Sequence, residues 1–258
     1  MLAVTLSVDA DRHADGYVLA EASWAMPGRE EPFDPYLRDT ALSIDTQAIK
    51  AAPVGERLAV SAAMFGKAGL DGTEPVAVYD RVGLFSAPWI WWLLRSHGCD
   101  AALVEGWGET RLDPPLAPPT QFLPTRDAGL MNANRDEVLA GIGTGVQIVD
   151  ARPAGRFAGE TPEPRPDCRA GHIPGSVNVP FGQLKSGRRF HAANDLRALF
   201  DDKTIDLSRP IITTCGSGVT ASGLAFALTR CGAKNVKVYQ GSWAEWGVDP
   251  DLPVETGS

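Results

Sequence analysis

The residue best equipped for covalent chemistry is Cys215, because of what stands on either side of it. An apolar run, Ile211-Ile212-Thr213-Thr214, ends at the cysteine; Gly216-Ser217-Gly218 follows, and a helical stretch runs from about Thr220 to Cys231. Glycines at a strand-to-helix turn let the backbone point successive N–H groups inward. The helix behind them adds the positive end of its dipole. A thiol at the centre of such a cradle is stabilised as the thiolate, the form that attacks sulfur or carbon. The same amides would hold the charge of a terminal persulfide sulfur. Taken alone, the loop fits a tight glycine-rich connection equally well. It also brings to mind the C-x5-R loop of Cys-dependent phosphatases, but Ala221 stands where the arginine that clamps phosphate is needed. The other cysteines, Cys99, Cys168 and Cys231, form no CxxC pair and no metal-finger spacing. They read as small buried hydrophobes, and neither a metal nor a cofactor is expected.

The elements that must position Cys215 recur in the first half of the chain. Val76 to Tyr79, Asp80, a short turn, a helix from about Ser86 to His97, Gly98, a strand from Ala101 to Val104 and Glu105-Gly106-Trp107 form one unit. Ile211 to Thr214, Cys215, a helix, Gly232, a strand from Val236 to Tyr239 and Gln240-Gly241-Ser242-Trp243 form the other, about 135 positions later. Strand, tight loop, helix, strand is the unit of a parallel sheet, and continuous apolar strands fit sheets covered on both faces. Two α/β domains are expected: residues 1–111, a linker over 112–134 that includes five prolines between Leu112 and Pro124, and residues 135–258. Where the second copy has Cys215, the first has Asp80. A carboxylate there would repel an anion, so the first domain is expected to be non-catalytic.

The chain has 258 residues, 44% hydrophobic and 22% charged, with a net charge of -8. No basic run offers a phosphate backbone a stripe of charge, so nucleic acid is not an expected partner. No segment is long and apolar enough to span a bilayer, and Met1 to Asp11 lacks the basic start of a secretory signal. A cytoplasmic protein is expected, with neither membrane nor nucleic acid as partner.

Several spaced motifs, in order, resemble the rhodanese family. Cys215-Gly216-Ser217-Gly218-Val219-Thr220 looks like the CG[ST]GVT active-site loop of its 3-mercaptopyruvate sulfurtransferases. Gly171-His172-Ile173-Pro174-Gly175-Ser176-Val177-Asn178-Val179-Pro180 is similar to the HIPGAxNxP signature. Asp150-Ala151-Arg152, Gly155-Arg156-Phe157, Pro162-Glu163-Pro164-Arg165 and Gly241-Ser242-Trp243-x-Glu245-Trp246 follow the second-domain pattern, while Ala22-Ser23-Trp24 and Gly83 to Pro88 match in the first. The resemblance covers nearly all of residues 20–247. It implies two rhodanese-like domains, each a mostly parallel sheet flanked by helices. It also implies a sulfurtransferase moving sulfur from 3-mercaptopyruvate through a Cys215 persulfide to a thiol or cyanide, with release of pyruvate.

Site residues follow from the same resemblance. Arg156 and Arg165 match the arginines that bind mercaptopyruvate, and each guanidinium contact with a carboxylate would contribute about 1.5–3 kcal/mol. The amides of Gly216, Ser217, Gly218, Val219 and Thr220 would line the substrate sulfur; Ser217 would relay a proton or serve the turn, and Thr220 reads as the N-cap of the following helix. Asp45 resembles a first-domain aspartate that faces the active site. Thiosulfate-type members carry basic residues inside the loop, where Gly216 and Ser217 are neutral. The alternatives are a thiosulfate sulfurtransferase and a non-catalytic rhodanese-like binding module. Expected partners are a small-molecule sulfur donor and a thiol acceptor such as a reduced thioredoxin-like protein. The chain departs from the family at Leu37 to Thr40, in place of HIPG, and at Gln47 to Pro53, where the histidine of an acid–base relay has no counterpart. Met1 to Asp15 reads as a strand and turn instead of the family's opening helix. His172 reads as structural, and Trp89, Trp91 and Trp92 as interdomain core.

Overall fold

The computed structural model describes residues 6–9, 16–24, 42–106 and 118–257. The chain divides into two compact units, 1–128 and 129–258. The first holds strands β1 (Ser7–Asp9), β2 (Val18–Glu21), β3 (Leu42–Ser43), β4 (Val76–Tyr79) and β5 (Ala101–Glu105), in the order β1-β5-β4-β2-β3. Every pairing among them is parallel. Helices α1 (Thr46–Ala51), α2 (Arg57–Lys67) and α3 (Ala87–Ser96) accompany the sheet. β4 and β5 are buried at every position, as continuous apolar runs require when both faces are covered. Trp89, Trp91 and Trp92 of α3 are buried, and the Trp91 indole donates to the carbonyl of Ala101 on β5 at 2.8 Å.

The proline-rich stretch read as linker is, where described, docked on the first unit. Thr120 N donates to Gly66 O and Leu123 N to Asp71 O, both at 2.9 Å, while Phe122 is buried with its ring 5.3 Å from that of Phe65. Prolines strip a segment of donors but leave such isolated ties available.

The second unit repeats the strand order. It consists of β6 (Asn132–Ala133), β7 (Gln147–Asp150), β8 (Val177–Asn178), β11 (Ile211–Thr214) and β12 (Val236–Tyr239), ordered β6-β12-β11-β7-β8 and again parallel at every pairing. A two-stranded hairpin, β9 (Lys185–Ser186) with β10 (Arg189–Phe190), stands apart from the sheet. Helices α4 (Arg135–Gly141), α5 (Ala154–Phe157), α6 (Ala193–Asp202), α7 (Val219–Arg230) and α8 (Ser242–Trp246) complete it. α4 opens with a capping box between Asn134 and Glu137. One core cluster gathers Val138, Ile148, Ile212, Tyr239, Trp243 and Trp246 with Ile173 and Leu252. The central strand β11 ends at Thr214, so Cys215 lies at the C-terminal edge where parallel α/β sheets place their ligands.

Candidate active site

Cys215 follows β11 directly, and its sulfur is almost fully buried, at 2% exposure for the residue. The amides around it are turned inward: Ser217 N lies 3.4 Å and Gly218 N 3.2 Å from Sγ. Gly218 makes the turn with φ +90°, and a Cβ there would sit 2.8 Å from the carbonyl oxygen of Gln240. Only glycine meets both demands without strain. Gly218 is also the N-cap of α7, which begins at Val219. Thr220 therefore lies inside the first turn and is not the N-cap read from the sequence; the left-handed glycine closes the loop earlier than a hydroxyl-capped helix would begin.

The loop's carbonyls are drawn outward by the start of α8. Trp243 N donates to Cys215 O and Ala244 N to Gly216 O, each at 2.9 Å. The Ser242 hydroxyl accepts from Cys215 N at 3.1 Å, donates to Tyr239 O at 2.7 Å and stands 4.0 Å from Sγ. Ser242 holds φ +52°, a conformation costly to any residue with a Cβ. With the carbonyls occupied on one side, the N–H groups are left facing the sulfur.

The first unit shows the same device closed on itself. Asp80, following β4 as Cys215 follows β11, is 2% exposed. Its carboxylate accepts from Val82 N (3.1 Å), Leu84 N (2.8 Å), Ser86 N (2.8 Å) and Ala87 N (2.7 Å). Burial pushes its pKa up, and the four amides pull against that. The cradle there holds the chain's own anion.

Beside the Cys215 loop lies a buried chain of charges. Arg152, at 1% exposure, binds both oxygens of Asp150 through Nε and the Oδ2 again through Nη2 at 2.7 Å, donates to Gly171 O at 2.9 Å, and lies 4.4 Å from the centre of the Trp243 ring. Burial alone would lower its pKa, but Asp150 and Glu163 together more than offset this and raise it. Its Nη1 donates to Glu163 Oε1 at 2.9 Å. Glu163 in turn holds Arg156 of α5, accepting from Nε at 3.1 Å and from Nη2. A Cβ on Gly216 would lie 3.2 Å from Nη2 of Arg156, so the guanidinium sits against the nucleophile's loop.

Of the residues singled out from the sequence, Cys215, Gly216, Ser217, Gly218, Val219, Thr220 and Arg156 stand together in the second unit. Arg165 is exposed on the proline-bounded loop that carries Glu163, near enough to Cys168 to favour its thiolate, although burial is the larger effect and raises that thiol. Asp45 belongs to the first unit, where it caps α1 by accepting from Ala48 N at 2.9 Å. His97 is tied within that unit to Ser61 Oγ at 2.9 Å and Leu58 O at 3.1 Å, and burial lowers its pKa. Leu37 to Thr40 lie outside the described residues. His172 is structural: Nδ1 bonds Phe157 O at 2.8 Å and its ring stacks on Phe157. Ser242, Glu163 and Arg152 had no assigned role in the sequence. Their signals were a serine next to glycine before a short helix and two charges beside prolines, none of which specifies a partner.

The rhodanese-like domain profile matches residues 134–249. The chain is 40% identical over 199 residues to the 3-mercaptopyruvate sulfurtransferase of Escherichia coli (strain K12), covering 72% of this chain and 70% of that protein. It is 33% identical to the thiosulfate sulfurtransferase of Bos taurus, over 93% and 88% of the two chains. The crystal structure of SseA from Escherichia coli, described as a 3-mercaptopyruvate sulfotransferase of the rhodanese fold, superposes with a TM-score of 0.72 at 30% identity, covering 93% and 99%.

Proposed function

Since the chain belongs to the rhodanese family, we propose that it is a sulfurtransferase of the 3-mercaptopyruvate type in which Cys215 carries the sulfur. The observation that supports this assignment most is the pair of amides, from Ser217 and Gly218, leaning on Sγ beside an arginine turned to the same loop.

The Cys215 thiolate attacks the sulfur of 3-mercaptopyruvate. A sulfur–sulfur bond forms, the carbon–sulfur bond breaks, and its electron pair leaves on carbon as the enolate of pyruvate, which takes a proton. Arg156 and Arg165 hold the carboxylate and keto group. The amides of Gly216 to Thr220 hold the charge of the persulfide's outer sulfur. An acceptor thiolate then attacks that outer sulfur, and Cys215 departs as thiolate. Ser217 relays a proton to the departing group. With no histidine at Gln47 to Pro53, water supplies that proton.

The natural acceptor would be a low-molecular-weight thiol or a reduced thioredoxin-like protein in the cytoplasm. The four cysteines are free thiols, as a reducing compartment keeps them; no described helix is long and apolar enough to cross a membrane. A thiosulfate-preferring enzyme is the second reading, favoured by the kinship with thiosulfate sulfurtransferases. Initial rates decide between them. Pyruvate release from 3-mercaptopyruvate with a thiol should exceed thiocyanate formation from thiosulfate and cyanide; the reverse order would establish the second reading.

A further inference from the structure

We infer that Glu163 is a positioning residue for substrate selection: its carboxylate fixes the Arg156 fork so that one edge is sealed and the other is presented to the Cys215 loop. The inference rests on the reading of Arg156 as the ligand of the donor's carboxylate.

A guanidinium has two bidentate edges, a side edge of Nε and one terminal nitrogen and an end edge of the two terminal nitrogens. Glu163 occupies the side edge of Arg156, through Oε1 to Nε at 3.1 Å and Oε2 to Nη2. The end edge is the one facing the nucleophile. A Cβ on Gly216 would stand 3.2 Å from Nη2, 3.9 Å from Nη1 and 4.0 Å from Cζ. With both terminal nitrogens nearer than Cζ, the loop lies beyond the end edge and not over the guanidinium face.

Glu163 can impose this because it is itself immobilised. Its side chain is 4% exposed, and Oε1 is shared with Nη1 of Arg152 at 2.9 Å. Arg152 is locked by Asp150, Gly171 O and the Trp243 ring, and Trp243 N holds Cys215 O at 2.9 Å. The arginine and the nucleophile are thus referred to one rigid frame. Pro162 and Pro164 flank Glu163, fixing φ on both sides and leaving no backbone donor at either. Between the ties of Thr161 N to Gly155 O and Arg169 N to Gly247 O, the carboxylate is the contact by which this loop joins the frame, and Arg165 stands two residues beyond it. Asp150, Arg152 and Glu163 are buried while the Arg156 side chain is 23% exposed; the four charges sum to zero, so a carboxylate arriving at the free edge is held by the directed N–H groups of a fixed guanidinium more than by net charge.

The test is steady-state kinetics of the full-length enzyme with 3-mercaptopyruvate for Arg156→Ala, Glu163→Gln, the double variant and Arg156→Lys. Glu163→Gln should raise KM about 10-fold or more, the loss of one charge-assisted contact, with kcat changed much less. The double variant should be no worse than Arg156→Ala alone, because both changes remove one interaction. Arg156→Lys should be impaired nearly as much as Arg156→Ala, since lysine keeps the charge but cannot offer a second edge while bound to Glu163. Its Asp150–Arg152–Glu163 frame is intact, so Arg156→Lys decides the question should Glu163→Gln fail to melt cooperatively. Additive losses in the double variant, a fall in kcat without a rise in KM, or a near-normal KM in Arg156→Lys would each overturn the inference. A raised KM in Arg156→Ala with normal kinetics in Glu163→Gln overturns it while leaving the clamp standing. A normal KM in Arg156→Ala removes the clamp itself.

Discussion

Replacing Asp80 by alanine tests whether the two loops are one device. In the first unit the carboxylate accepts four backbone N–H groups at 2.7–3.1 Å, from Val82, Leu84, Ser86 and Ala87. One of these residues, Leu84, is held at φ +62°, which the surrounding bonds must sustain. A buried N–H left without an acceptor costs about 1–3 kcal/mol. Three of the four, from Leu84, Ser86 and Ala87, are buried, so even at the low end Asp80→Ala should destabilise the first unit by about 3 kcal/mol. Asp80→Asn should cost about half of that, since its carbonyl still accepts two amides while its amino group confronts the other two. The vacated cradle in Asp80→Ala should then take an external anion. Urea unfolding followed by tryptophan fluorescence, to which Trp89, Trp91 and Trp92 of α3 contribute beside Trp243 and Trp246 of the second unit, measures the loss. A sulfate titration against sodium chloride of equal ionic strength measures the recovery, which reaches about 2.7 kcal/mol when the anion is at a hundred times its dissociation constant. A loss below about 1 kcal/mol, or equal recovery by sulfate and chloride, would refute the reasoning that these amides form an anion nest.

Gly218→Ala places a Cβ 2.8 Å from Gln240 O at φ +90° and should slow persulfide formation in single-turnover experiments by about 10- to 100-fold through the misplaced amide; an unchanged rate would mean that this N–H does not bear on the sulfur. Ser242→Ala removes the acceptor of the buried Cys215 amide and should cost about 1–3 kcal/mol in urea unfolding, with no loss expected if the hydroxyl is idle. Burial pushes the Cys99 thiol up to about 12, above its value in the unfolded chain. The unfolded chain therefore releases this proton first. Stability should be intact below the ordinary thiol pKa and fall by about 1.4 kcal/mol per pH unit from there toward pH 12. Cys99→Ala should flatten that slope in denaturation at successive pH values, and an unaltered slope would contradict it.

Much of this architecture was legible because apolar runs bounded by punctuating residues leave little choice. Val76–Tyr79, Ile211–Thr214 and Val236–Tyr239 form strands at the expected residues, each preceded by a proline or asparagine and followed by a polar or nucleophilic residue. The strand expected near the start is present as Ser7–Asp9, pairing in parallel with β5. Thr220 misled because a threonine just before a helical run carries a capping signature, and nothing in the letters says that Gly218 will adopt a left-handed turn first. The proline-rich stretch misled in part. Its composition indicates an extended chain, but over residues 118–124 the ring of Phe122 and the amides of Thr120 and Leu123 dock it. The ion network was illegible for a different reason. Glu163 is 11 residues from Arg152, across the short helix α5, and 7 from Arg156, and the ring that completes the site, Trp243, lies on another element. Periodicity carries no information about such contacts.

The measurement that bears most directly on Cys215 as the sulfur carrier is intact-protein and peptide mass spectrometry after brief exposure to 3-mercaptopyruvate without acceptor. One added sulfur atom should appear on the peptide containing Cys215, disappear on addition of a thiol, and fail to form in Cys215→Ser. An adduct on Cys168, Cys231 or Cys99, or none on a protein that still releases pyruvate, would contradict the account.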